Sequence, residues 1–163
     1  MPAHSKPASS TDVQTSAQLR PEFFRTLTLH GWTIDQVLLD PRWAGQPRDL
    51  DVVELESGVE AVTRAARARG HRAQPYDIKR DPVLEDILQE RGFLHAVTLV
   101  MRLRAGGLLG QAPVCSSFVG LNIVNTKRCK SNFAGDEDYP PVAAGNAMAD
   151  TSFFLMGLAL ARA

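Results

Sequence analysis

A chain of 163 residues fits one domain with a real core, and its 44% hydrophobic and 22% charged residues are ordinary for a globular protein. Eighteen basic side chains balance eighteen acidic ones, so no overall charge demands a nucleic acid or an anionic membrane as partner. Two cysteines, Cys115 and Cys129, make neither a disulfide framework nor a zinc set, and both are expected as free thiols of a reducing compartment.

Residues 1–18, rich in Ser, Pro, Thr and Ala, read as a disordered leader without the apolar stretch of a signal peptide. The expectation is a soluble, intracellular protein. Residues 19–48 read as a helical preface and linker. A helix from Pro21 to Gly31 carries Phe23, Phe24, Leu27 and Leu29, and a second from Thr33 to Leu39 carries Ile34, Val37 and Leu38. Two prolines and a glycine then mark residues 40–48 as linker.

From residue 49 the pattern changes. A strand (Val52 to Leu55), a helix (Val59 to Arg69) stopped by Gly70 and a strand (His71 to Tyr76) make a β-α-β unit, whose short loops favour parallel pairing. A helix is expected from Asp81-Pro82 to Arg91, closed by Gly92, and another from Phe93 to Arg104. Ala105-Gly106-Gly107 turns into a third parallel strand, Leu108 to Ala112. Residues 113–139 form a 27-residue connection, long enough to be functional or mobile. Pro140-Pro141 opens a last helix reaching Ala163; its apolar run, Phe153 to Ala161, is short of the about 20 residues of a membrane span and reads as buried.

Glu54 ends the first strand and Ser57-Gly58 turns into the helix; Asp77 ends the second strand, 23 residues after Glu54. A turn and helix start that receive a ligand's polar end, with an acid at the next strand tip to accept from ribose hydroxyls, form the first half of a nucleotide-type site. Asp77 also suits a plain turn cap. Cys115 suits either a nucleophile or a small buried residue. Lys127, Arg128 and Lys130 suit phosphate contacts or a loop neutralised by Asp136, Glu137 and Asp138. None of His4, His30, His71 and His95 has a second ligand at metal spacing, so no metal is expected.

The turn Pro113-Val114-Cys115-Ser116-Ser117-Phe118, downstream of the β-α-β unit, resembles the catalytic loop of the cytosine-5 DNA methyltransferases. It is most similar to a divergent set common in dinoflagellate genomes. The matching blocks are Glu54-Leu55 with Ser57-Gly58, Arg69 to Ala73 through Asp77-Ile78, Pro113 with Cys115 to Ser117, Lys127-Arg128, Gly135-Asp136, and Gly145 to Met148. The resemblance implies an α/β, Rossmann-like, three-layer fold over residues 49–163, with S-adenosylmethionine as cofactor. Glu54, Ser57, Gly58 and Pro113 would line the cofactor pocket and Asp77 would hold the ribose. Cys115 would add to carbon 6 of a pyrimidine lifted from its stack, and Lys127, Arg128 and Lys130 would approach nucleic-acid phosphates.

The chain departs from that pattern at three positions. Glu56 stands where the family has a phenylalanine beside the cofactor, Glu60 where many members have a second glycine, and Val114 where the cysteine follows a proline. The family's next strand, with its Glu-Asn-Pro or Glu-Asn-Val tripeptide, is not reached before Ala163, so a C-terminally truncated, degenerate domain is expected. The function expected is therefore methyltransferase-like, with cofactor binding retained. The alternative is a non-catalytic interaction module or a gene fragment. That alternative predicts an apolar face at Phe153, Phe154, Leu155 and Leu158, open to self-association or to a missing domain.

Overall fold

The structure, a computed structural model, describes residues 28–163. The leader, Phe23 and Phe24 lie outside the described residues. Thr28–Leu29 (β1) and Trp32–Thr33 (β2) pair antiparallel, so the expected helix does not extend to Gly31. His30 and Gly31 both take positive φ (49° and 76°), the geometry of a two-residue hairpin turn. Helix α1 (Ile34–Leu39) follows, its start fixed by a reciprocal capping box between Thr33 and Gln36. The expected linker contains a further helical turn, α2 (Pro41–Ala44). Asp40 caps it, Pro41 opens it, and buried Trp43 packs edge-on against Trp32 and donates to Thr98 Oγ1.

A three-stranded parallel sheet forms the centre, in the order β4-β3-β5. Its strands are β3 (Leu50–Leu55), β4 (Ala73–Tyr76) and β5 (Leu103–Gln111), and α3 (Ala61–Ala68) connects β3 to β4. The pleat sorts β3 by face. Val52 packs with Ala66 of α3 and Ala73 on one side. Val53 and Leu55 enter the main core on the other, with α4 (Glu90–Met101) and, after a short α5 (Ile123–Thr126) in the connection, α6 (Pro140–Arg162). Phe93 of α4 meets Phe154 of α6 edge-to-face at 5.4 Å. The fold is mixed α/β, with helices against both faces of a short parallel sheet.

Further expectations fail for identifiable reasons. Residues 81–89 are turns, not a helix. Asp81 accepts from the Val83 and Leu84 N–H groups and Asp86 from that of Leu88, so side chains take over donors a helix would use. Gly92 does not stop a helix; it lies inside α4, where an added Cβ would fall 2.0 Å from the Asp86 carbonyl oxygen. The expected helix to Arg104 ends at Met101, and β5 starts at Leu103 instead of Leu108. The glycine turn becomes a bulge within β5: Leu50 pairs with Leu103 but Val52 pairs with Leu108. Gly107 sits close enough to the Arg104 carbonyl that a Cβ would lie 2.9 Å from it.

Helix α6 spans residues 140–162, as its opening prolines suggest. The face expected to be bare is mostly covered. Phe154, Leu155 and Leu158 are buried in the main core, while Phe153, Met156 and Leu160 on the opposite side are exposed. No described helix is long and apolar enough to cross a membrane.

Candidate functional site

Beyond the carboxyl ends of the three parallel strands lies a cavity of about 350 Å³, a volume typical of small-molecule sites. Glu56 and Gly58 after β3, and Tyr76 to Lys79 at the end of β4, form one side. The turn from Glu85 to Leu88 closes a second side, and Ala112, Val114 and Met148 complete the wall. Ligands of open α/β sheets bind in this position.

Asp77 lines the cavity and organises it. Its Oδ2 accepts from Gly58 N at 2.7 Å and its Oδ1 from Lys79 N at 2.9 Å, while its own N–H donates to Glu85 Oε2 at 2.8 Å. Each carboxylate oxygen keeps a further lone-pair direction for a hydroxyl donor. Arg80 clamps this corner by reaching both Glu60 and Glu85.

Glu54 is directed elsewhere. Its carboxylate accepts from Val62 N (3.2 Å) and Thr63 N (2.7 Å), capping α3 from the neighbouring strand, and it does not line the cavity. Burial opposes its ionisation, but the Thr63 and Val62 hydrogen bonds prevail and hold the carboxyl below the usual glutamate value. Ser57 is buried, with its N–H on the Tyr76 carbonyl and its hydroxyl unpartnered.

Glu56, a departure from the family pattern, is a further acid in the cavity's lining. Glu56 takes φ +54°, a left-handed conformation rare outside glycine, in a turn where Gly58 and Glu60 are left-handed too. Both its carboxylate oxygens are buried without a hydrogen bond. Burial pushes the carboxyl up to about 7; the nearby Ala112 N–H, already bonded to the Leu55 carbonyl at 3.3 Å, offsets part of this, and the negative Asp77 adds to it. Sequence reasoning missed Tyr76. It is fully buried, its hydroxyl has no partner, and burial together with the Glu85, Asp86 and Glu56 carboxylates pushes that hydroxyl's pKa up. An aromatic at the strand end next to the Asp77 acid was the available signal.

The Cys115 turn borders the cavity without facing it. Val114 contributes to the wall, with its N–H 3.1 Å from Met148 Sδ, whereas Pro113 and Cys115 are exposed and line no part of it. Ser117 is buried where α6 passes. Gly145 permits that approach, since a Cβ there would fall 2.2 Å from Ser117 Oγ.

The basic loop is mostly engaged within the protein. Arg128 donates to the Ser117 and Phe133 carbonyls and to Asn146 Oδ1, and its guanidinium lies 3.8 Å from the Phe118 ring centre. Lys127 pairs with Asp136. Lys130 is exposed. The Cys129 thiol is held low by hydrogen bonds from Ser131 and, more weakly, from the Asn132 N–H. No family model, no curated protein and no solved structure matches the chain.

Proposed function

We propose that the chain is a cofactor-binding domain of the methyltransferase-like class, with the cavity beyond the sheet's carboxyl ends as its S-adenosylmethionine site. The observation that carries this reading is a 350 Å³ cavity wrapped around Asp77 at the tip of β4. Its residues fit such a group. Ile78, Ile87 and Leu88 offer apolar walls for a base, Asp77 has acceptor capacity left for ribose hydroxyls, and Glu56 and Tyr76 present buried polar atoms without partners. The blocks that carry the family resemblance support the reading by their contacts. Gly58 bonds Asp77, Met148 bonds Val114, and Asn146 and Ser117 both hold Arg128.

The chemistry available with such a cofactor bound is donation of an electrophilic methyl group. In this reading Gly58 and Asp77 hold and orient the ligand, and Cys115, one residue beyond the wall at Val114, is the candidate nucleophile for a pyrimidine acceptor. Lys130 is the cation of the 127–130 cluster with greatest freedom to meet a phosphate. Engagement of Arg128 and Lys127 inside the loop favours cofactor binding over nucleic-acid affinity as the property retained.

Thermal unfolding with millimolar S-adenosylmethionine tests the reading. A ligand at about 100 times its dissociation constant stabilises by about 2.7 kcal/mol, which for this size raises Tm by about 5–10 °C. Asp77→Ala removes that rise. A wild-type Tm indifferent to the ligand rejects the proposal.

A further inference from the structure

Resting on the cofactor-site reading, we infer that Glu56 is a charge-selecting group, pairing its carboxylate with a positive centre of the ligand, so that the cavity takes organic cations (sulfonium or ammonium) in preference to neutral analogues. The geometry sets Glu56 apart from its neighbours. Asp77 and Glu85 each receive backbone N–H groups, Asp86 receives that of Leu88, and Glu85 is additionally met by Arg80. Glu56 alone among the cavity's acids has both oxygens enclosed without a well-formed hydrogen bond, the nearby Ala112 N–H easing its charge only in part. An enclosed carboxyl without donors is costly to leave as an anion, and a cation placed against it removes that cost. The left-handed backbone at Glu56 is the strained feature that accompanies this orientation.

Binding has a definite proton balance. In the empty cavity near neutrality Glu56 is partly protonated; when the cation enters, the carboxyl O–H bond breaks, the proton passes to solvent and the carboxylate pairs with the ligand. The charged and titratable groups around it are Asp77 and Lys79 at the β4 end, Glu85 and Asp86 in the following turn, and the Tyr76 hydroxyl. Arg80 faces Glu85 and Glu60, and His95 lies 5.7 Å behind the Tyr76 ring, with Nδ1 3.1 Å from the Leu84 carbonyl. Helix α6 contributes uncharged Met148.

Calorimetric titration of the full chain with S-adenosylmethionine at pH 6 and pH 8 tests the inference, in two buffers of different ionisation enthalpy. With the Glu56 carboxyl at about 7, affinity rises about tenfold from pH 6 to pH 8, and about 0.9 proton is released per ligand at pH 6 against about 0.1 at pH 8. Glu56→Gln, near-isosteric, loses both the pH dependence and the proton release and binds at least tenfold more weakly at pH 8. Titration with 1,4-diaminobutane, a dication without the adenosyl group, runs in parallel. If S-adenosylmethionine is silent while the diamine shows the pH- and Glu56-dependent pattern, the cofactor reading fails and Glu56's role stands. S-adenosylmethionine binding that is flat with pH and equal in Glu56→Gln overturns the inference while leaving the cofactor site. Silence of both probes at both pH values overturns the two together.

Discussion

Replacing Glu56 by glutamine isolates one titrating group without changing shape. In the folded chain its carboxyl is raised from the ordinary 4.5 to about 7. The unfolded chain gives up that proton first, so between those values the native state holds more protons and stability falls as pH rises. The stabilising contribution is complete below about pH 4.5 and gone above about pH 7. A shift of that size corresponds to about 3 kcal/mol, and partial access of the residue to solvent reduces it to about 2 kcal/mol. The expected result is a gap between Glu56→Gln and wild type that moves in the variant's favour by about 2 kcal/mol from pH 5 to pH 8, read as about 4–8 °C in Tm. The assay is urea or thermal unfolding of both proteins across that range without ligand. Parallel curves, with the gap constant in pH, would refute the claim that Glu56 is enclosed and unpartnered.

Other perturbations test the frame around the cavity. Glu54→Ala strips the Val62 and Thr63 N–H groups of their acceptor and should cost about 1–2 kcal/mol in denaturant unfolding. Phe154→Ala opens the core between α4 and α6 and should cost about 3–5 kcal/mol, enough to leave little folded protein at 37 °C in a marginal domain. Gly145→Ala forces Ser117 away from α6, costing about 1–3 kcal/mol and speeding protease cleavage in residues 113–139; unchanged cleavage would contradict the close approach.

The β-α-β unit was legible because two short apolar runs bracket a helix, but the packed face of that helix was not: Ala66 meets Val52 and Ala73, while Val59, Val62 and Ala65, expected on the same face, are exposed and Thr63 is buried instead. Asp77 was legible as an acid at a strand tip and lines the cavity. Glu54 looked equivalent, yet side-chain direction separates the two. It shares the Val52 face of β3 and meets the start of α3, a consequence of the pleat and of where that helix begins. The turns at 81–89 were hidden because Asp81 and Asp86 serve equally as helix starters and as caps of their own turns. Glu56 was least legible of all. Its position depends on a left-handed backbone that nothing in a non-glycine residue announces, so an acid that reads as a departure from the family pattern ends at the cavity with both carboxylate oxygens buried and without a hydrogen bond.

The most direct measurement is an amide-resolved NMR titration of the chain with S-adenosylmethionine. The account predicts that the Gly58, Lys79, Leu88 and Ala112 amides, which ring the cavity, shift first and saturate together. Shifts confined to distant surface such as Gly106 and Gly107, or none at all, would contradict it.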